Sequence, residues 1–492
     1  MLLKDWTKEM ASLAYVVDAL ELLTSAGRRV LLAQQLTTNV SDLEREYDNV
    51  AVAVSVCKAA DKRRHNEPDN AAQCECCDTP QHERKERGDG IGEAFVDLRH
   101  CLMELHDLHG TLQLLKSHTV LSEVDLFEVK RLAHINARAR VAAAALGESL
   151  SSIMALPDLG EVFALLDPDG TGVAHFYIYD SYDSRLADLR KQLRATDDAA
   201  VKTDLMAQHD ALQQQVMESL SAQLHPYSNS LMQSLERLAY TDILLAKAKL
   251  AIDWELVRPV LACDAATCYE QLWEPRLRHH NEQQGLRYQP IDVELRSGLT
   301  LVSGANMSGK TVMLKTVALA QLMAQHGFYV PAAKATVSPV AAVELCIGDG
   351  QDEMSGLSSF AWEIGRISHI LSRSRSERLL ILVDEPARTT NPVEGRAIVQ
   401  ALCTLLSQGH GLAVVTTHYS GIVVQCHRLR VRGFVEDMAT VPLTPQSINR
   451  FIDYSLLEDS DTSVPQEALR IAALLGADSD LLAIANSQLG VG

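Results

Sequence analysis

Aromatic side chains are scarce in this 492-residue sequence, at 5% of positions, yet hydrophobic residues reach 47%. The core is therefore built from small aliphatic side chains, and the Ala/Leu-rich, Gly-poor N-terminal half reads as mostly helical. No apolar run approaches the roughly eighteen residues that would span a bilayer, which excludes a membrane helix. The opening residues MLLKDWTKEM lack a basic patch followed by an apolar stretch, so no secretory signal is expected and a cytoplasmic location is. Basic residues are the minority: 45 Lys and Arg stand against 64 Asp and Glu, a formal charge of −19. A whole-surface, salt-sensitive grip on nucleic acid is disfavoured by that balance, which leaves a local basic strip as the form such binding would take.

What is present begins with length, which exceeds the size of one growing core and predicts two or three domains. Ten cysteines in a cytosolic chain point to reduced thiols rather than a disulfide framework. Cys74, Cys76 and Cys77 crowd together near His65 and His82, but the C-x-C-C spacing matches no zinc pattern. With the polar residues around it, the stretch 58–93 reads as a solvated insertion. Helical spacing marks Leu13, Val16, Val17, Leu20 and Leu23, and again Phe95–Leu115 and 121–153. Asp167-Pro168-Asp169-Gly170 signals a turn, and the alternation from Val173 to Tyr179 predicts a strand. Residues 184–225 read as a long helical arm whose apolar stripe weakens at Ala195–Asp198, with a further helix over 231–254. Such an arm serves either to bind a partner or simply to pack.

Beyond Pro259 the pattern changes to short apolar runs, each followed by Gly, Asp or Thr and then a helix, the signature of an α/β domain with a mainly parallel sheet. Gly304-Ala305-Asn306-Met307-Ser308-Gly309-Lys310-Thr311 fits G-x-x-x-x-G-K-[ST], with an apolar strand (299–302) before it and a helix (312–325) after it. Glycines let backbone N–H groups curl around phosphates, and the helix presents its positive end to them. Lys310 is placed to reach the β- and γ-phosphates of ATP, and the Thr311 hydroxyl to ligate Mg²⁺. The apolar run Leu379–Val383 ends in Asp384-Glu385, where open α/β sheets bind ligands. Asp384 suits Mg²⁺, and Glu385 suits polarising the attacking water. A third apolar run, Leu412–Thr416, delivers Thr417 and His418, whose imidazole could report the γ-phosphate. Ser355–Phe360, a small polar loop entering a helix, carries little weight alone, since helix N-caps look like this.

Together these segments resemble one family. GANMSGKT, GFYVPA (327–332), SGLSSF (355–360), DEPARTTNPVEG (384–395) and TTHYS (416–420) are similar, in order and spacing, to the successive ATPase motifs of MutS proteins. The resemblance covers roughly residues 270–425. It implies a helical core and lever region over 1–262, a P-loop ATPase domain of the ABC type over 263–446, and a helical dimerisation tail over 447–492. It also implies a composite dimer site, homotypic or heterotypic, in which Ser355 and Gly356 act on the partner's γ-phosphate, and an adenine-stacking role for Tyr288. The sequence opens on the helical core and ends at Gly492, so neither a mismatch-reading domain nor an Smr nuclease domain is expected. Details such as TTHYS look closer to the second bacterial MutS branch, which acts on recombination intermediates or stalled ribosomes. Ser308, Ala387 and Thr389 stand where the family commonly has glycine; Ala305 and Pro386 also depart from its commonest residues. Three roles follow from the resemblance: an ATPase acting on DNA, an ATP-dependent reactivase for an adenosylcobalamin-dependent aminomutase client, or a ribosome-collision factor, for which no nucleic-acid grip is identifiable in the sequence.

Overall fold

The computed structural model describes residues 2–64, 90–263, 266–305, 308–347, 359–434, 452–459 and 476–488, with 469 and 472. The Cys74/Cys76/Cys77 group with His65 and His82, the loop residues Asn306 and Met307, and Ser355 with Gly356 lie outside the described residues. The chain forms two compact units, one of Met1–Ala19, Gln35–Tyr47 and Leu250–Gly492, the other of Leu20–Gln34 and Asp48–Lys249. It therefore does not divide at a single point near residue 262. N-terminal segments join the first unit because they are bonded to it. The Tyr47 hydroxyl donates to the Ala324 carbonyl (2.8 Å), and Gln325 and Thr37 exchange two bonds. Among the described residues no helix is long and apolar enough to cross a membrane.

The second unit is helical. Its helix Glu123–Leu146 starts at a capping box, in which Ser122 and Asp125 satisfy each other's backbone N–H groups. Leu126, Val129, Leu132, Ala133, Ile135 and Ala139 form its buried stripe. The arm is two helices, Ser184–Ala195 and Ala199–Leu224, broken where Asp198 accepts from the Ala200 and Val201 amides. Its buried apolar positions are Leu186, Leu205, Leu212, Val216, Leu220 and Leu224. Residues 173–179, expected as a strand, are irregular. The alternation there reflects the burial of Phe176 and Ile178, and among the described residues no strand pairs with the segment.

That irregular segment is fastened by a fully buried lysine. Lys130 Nζ donates to Asp167 Oδ1 (3.0 Å), the His175 carbonyl (2.8 Å) and the Tyr179 hydroxyl (3.1 Å), which uses all three of its donors. Burial pushes the Asp167 carboxyl up, but bonds from Thr171, Gly172 and Lys130 outweigh it and hold it at about 2. A depressed carboxyl stabilises the fold above its unfolded-state pKa of about 3.9, and that contribution disappears as pH falls towards 2. Lys130→Met strands the Asp167 charge in the interior and should destabilise the fold by about 3–5 kcal/mol. Urea unfolding followed by circular dichroism measures this, and a loss under about 1 kcal/mol would deny the pair its role.

The first unit contains two sheets. The smaller joins β1 (Val260–Leu261), β5 (Lys334–Val337), β2 (Thr267–Leu272) and β3 (Ile291–Leu295) in that order. The larger runs β10 (Ile452–Glu458), β9 (His427–Phe434), β4 (Gly298–Ser303), β8 (Leu412–Thr417), β7 (Leu379–Val383) and β6 (Ala342–Cys346). Neighbours are parallel except β10 with β9. Ile452–Glu458, expected within a helical tail, is thus an edge strand of this sheet. The tail helix in the described residues is Ser479–Gln488.

β7 and β8 are buried at every position, as parallel strands covered on both faces require. One face, with Leu299, Leu301, Leu379, Ile381, Val383, Ala413 and Val415, packs on Ile367 and Ile370 of helix Ser359–Ser374 and on Val399, Leu402 and Leu406 of helix Pro392–Ser407. The helix Lys310–Gln325 packs against β6 and β7. The buried Glu344 carboxylate on β6 lies between Arg366 (2.8 Å) and Arg373, which pins helix Ser359–Ser374 to the sheet.

Candidate nucleotide site

The register of the large sheet decides where its chemistry collects. Ser303 stands level with Thr417, and Val383 with Val415, so the segments leaving β4, β8 and β7 emerge side by side at one edge. β8 lies between the other two. The glycine loop after β4 and the acidic pair after β7 thus flank the Thr417-His418 segment.

Lys310 is buried at the start of its helix, and its ammonium donates to the carbonyls of Gly304 and Ala305 (2.8 Å each). Its third contact is Glu385 Oε1 at 3.1 Å. The other carboxylate oxygen of Glu385 lies 3.8 Å from His418 Nδ1, a buried nitrogen without a hydrogen-bond partner. Thr311 Oγ1 donates to Asp384 Oδ2 at 2.5 Å. The fully buried Thr416 hydroxyl donates to Asp384 Oδ1 (2.6 Å) and accepts the Glu385 amide (3.0 Å). Lysine, acidic pair, threonine and imidazole therefore form one contiguous cluster.

The glycines of the loop have separate reasons. Gly309 has φ +84°, a region open to glycine at no steric cost. A Cβ there would also meet the Tyr454 ring at 2.8 Å. At Gly304 a Cβ would come within 3.0 Å of the buried Ser308 hydroxyl and 3.3 Å of Val431.

Tyr288 is half-buried and anchored, its hydroxyl accepting the Glu274 amide at 2.9 Å, with burial pushing the phenol up to about 12. Tyr454 of β10, rather than Tyr288, is the aromatic against Gly309. The two are linked through Gln289, which donates to Asp453 (2.8 Å) and accepts the Tyr454 amide (3.3 Å). Sequence reasoning missed Tyr454 because it follows the last motif by more than thirty residues. Glu363 and Tyr419, which bond the backbone of Ala387, were missed as well. Tyr419 had a signal in its place beside His418; Glu363 had none.

A strand, a glycine loop and a helix set beside an acidic strand end, on a parallel sheet, define the P-loop nucleotide-binding class. The family model for MutS domain V matches residues 300–458, which takes in most of β4 and all of β5 to β10. Among curated proteins, the chain is 33% identical over 289 residues to "Endonuclease MutS2" of Thermomicrobium roseum, covering 57% of this chain and 35% of that protein. It is 36% identical over 187 residues to the protein of the same name from Thermus thermophilus, covering 38% and 24%. For the Symbiobacterium thermophilum protein of that name the figures are 32% over 249 residues, 49% and 30%. Residues 300–458 thus match a domain of the MutS family, and the chain is similar over its ATPase region to proteins named MutS2. It spans about a third or less of the length of these relatives.

Proposed function

We propose that this chain is a MutS-type ATPase that couples Mg²⁺–ATP binding and hydrolysis to conformational change on DNA. The observation that carries the reading is the single cluster of Lys310, Thr311, Asp384, Glu385 and His418 at one sheet edge. The glycine loop and the positive end of the helix that starts at Lys310 would receive the phosphates, with Lys310 neutralising charge on the terminal ones. Thr311 and Asp384 supply adjacent hard oxygen donors, which fit a magnesium ion that keeps its remaining positions for water and phosphate. Held by these two residues, magnesium would supply positive charge that offsets the charge on the phosphates. Glu385 orients the attacking water and accepts its proton. His418, with an unpaired nitrogen, hydrogen-bonds the γ-phosphate. Tyr288 serves the adenine side.

On this reading a second ATPase domain completes each site with its Ser355 and Gly356, and closure of the pair moves the helical region. Action on DNA is supported by the relatives, each named an endonuclease of the MutS2 kind. That favours DNA over an aminomutase client. The test is ATPase stimulation. Branched duplex should raise turnover, and the effect should shrink steeply between about 50 and 200 mM salt, as displaced counterions require. Indifference to DNA together with stimulation by an adenosylcobalamin-dependent aminomutase would transfer the proposal to the reactivase role.

A further inference from the structure

The loop after β7 carries two residues in the left-handed region, Glu385 at φ +44° and Ala387 at φ +60°. Neither is glycine, so the conformation is unfavourable for both and persists only if the surroundings hold it. At Ala387 the holding groups are explicit. The residue is fully buried, and its N–H donates to both oxygens of Glu363, at 3.1 and 3.2 Å. Its carbonyl accepts the Tyr419 hydroxyl at 3.1 Å. Both backbone groups of one strained residue are thus taken by side chains from two other elements. Glu363 belongs to helix Ser359–Ser374, which Glu344 pins to β6. Tyr419 follows His418 directly, and the two rings lie 4.5 Å apart.

The surroundings accommodate this arrangement. Gly395 opens the first turns of helix Pro392–Ser407, and a Cβ there would run into the Tyr419 hydroxyl and come within 3.0 Å of the Ala387 carbonyl. Burial and the neighbouring Glu363 charge raise the Tyr419 phenol, which keeps it in the protonated form that donates. Two residues upstream, the Glu385 amide is held by Thr416. The loop is therefore fixed at 385 and at 387, and the Glu385 carboxylate projects from between rigid points towards Lys310 and His418.

We propose that Glu363 and Tyr419 form a clamp on Ala387 that fixes the strained backbone from which Glu385 works, and that both are positioning residues for hydrolysis. The inference rests on the reading of Glu385 as the water-orienting carboxylate. It explains how an alanine is tolerated at a left-handed position: the clamp supplies the hold that glycine would not need.

The experiment uses the full chain and five variants. Glu363→Ala should lower kcat roughly 10- to 100-fold, the usual scale for groups that orient a reacting residue. KM for ATP should stay within about threefold, since the lesion acts on the chemical step. Glu363→Gln, which keeps an acceptor oxygen, should recover most of the rate. The decisive variant adds Ala387→Gly to Glu363→Ala. Glycine adopts positive φ without strain, so kcat should rise by about fivefold or more over Glu363→Ala alone. A purely structural Glu363 would not be rescued this way. Should Glu363→Ala fail to fold, as thermal melts would show, Tyr419→Phe removes only the hydroxyl and tests the same clamp. Full kcat in Glu363→Ala, parallel losses of rate and nucleotide affinity, or no rescue by glycine would each overturn the proposal. Normal turnover in Glu385→Gln would instead defeat the underlying reading, so the two failures are distinguishable.

Discussion

Glu385→Gln should bind ATP with an affinity within about threefold of the parent while turning it over roughly 10²- to 10⁴-fold more slowly, the range that general-base groups contribute. The amide has the carboxylate's shape, and the Glu385 backbone is fixed independently by the Thr416 hydroxyl. Glycine loop, Lys310 and Thr311 keep their places, so the cradle for the phosphates survives. What is lost is the negative charge facing Lys310 at 3.1 Å and His418 at 3.8 Å, and with it the capacity to take a proton from water. Fluorescent-nucleotide titration reads the first quantity and phosphate release the second. Near-normal phosphate release would move the base to another residue.

The second large effect concerns completion of the site by a partner. Ser355→Arg alone and Lys310→Ala alone should each abolish turnover, for different reasons. On the proposed function Lys310, which is bonded to the Gly304 and Ala305 carbonyls, serves the nucleotide of its own subunit. Ser355, on the family resemblance, serves the partner's. In an equal mixture half the dimers carry one lesion of each kind, and one of their two sites is intact. Activity should therefore return to about a quarter of the parent's if subunits pair at random about a two-fold axis. The measurement is ATPase rate against mixing ratio, after subunit exchange has been allowed. A flat line at zero would mean that both residues act on the same nucleotide.

Legibility in the sequence followed burial. β4, β7 and β8 are covered on both faces, so they stand out as unbroken apolar runs, and each run ends at the edge where the chemistry collects. Their order was not legible. That β8 separates β4 from β7, bringing Thr416 within reach of Asp384, is a property of the sheet and not of any segment. The smaller sheet was missed because its members are short or only partly buried; β1 has two residues. β10 was placed in a helical tail because its burial is mixed, with one buried position, and gives no clear period. The segment 173–179 misled in the other direction: its alternation is real, but what it packs on is helical. Glu363 illustrates the remaining gap, since an acidic residue on a helix looks like any solvated charge until Ala387 is seen beneath it.

The contact of Tyr454 with Gly309 has a practical corollary for anyone trimming the chain. A fragment cut before Ile452 would retain every nucleotide-binding motif and still lose two things together. The phosphate loop would be stripped of its aromatic cover, and β9 would become a bare rim, open to pairing with other chains. The minimal portable unit therefore ends after Glu458, well beyond Ser420 where the last motif closes.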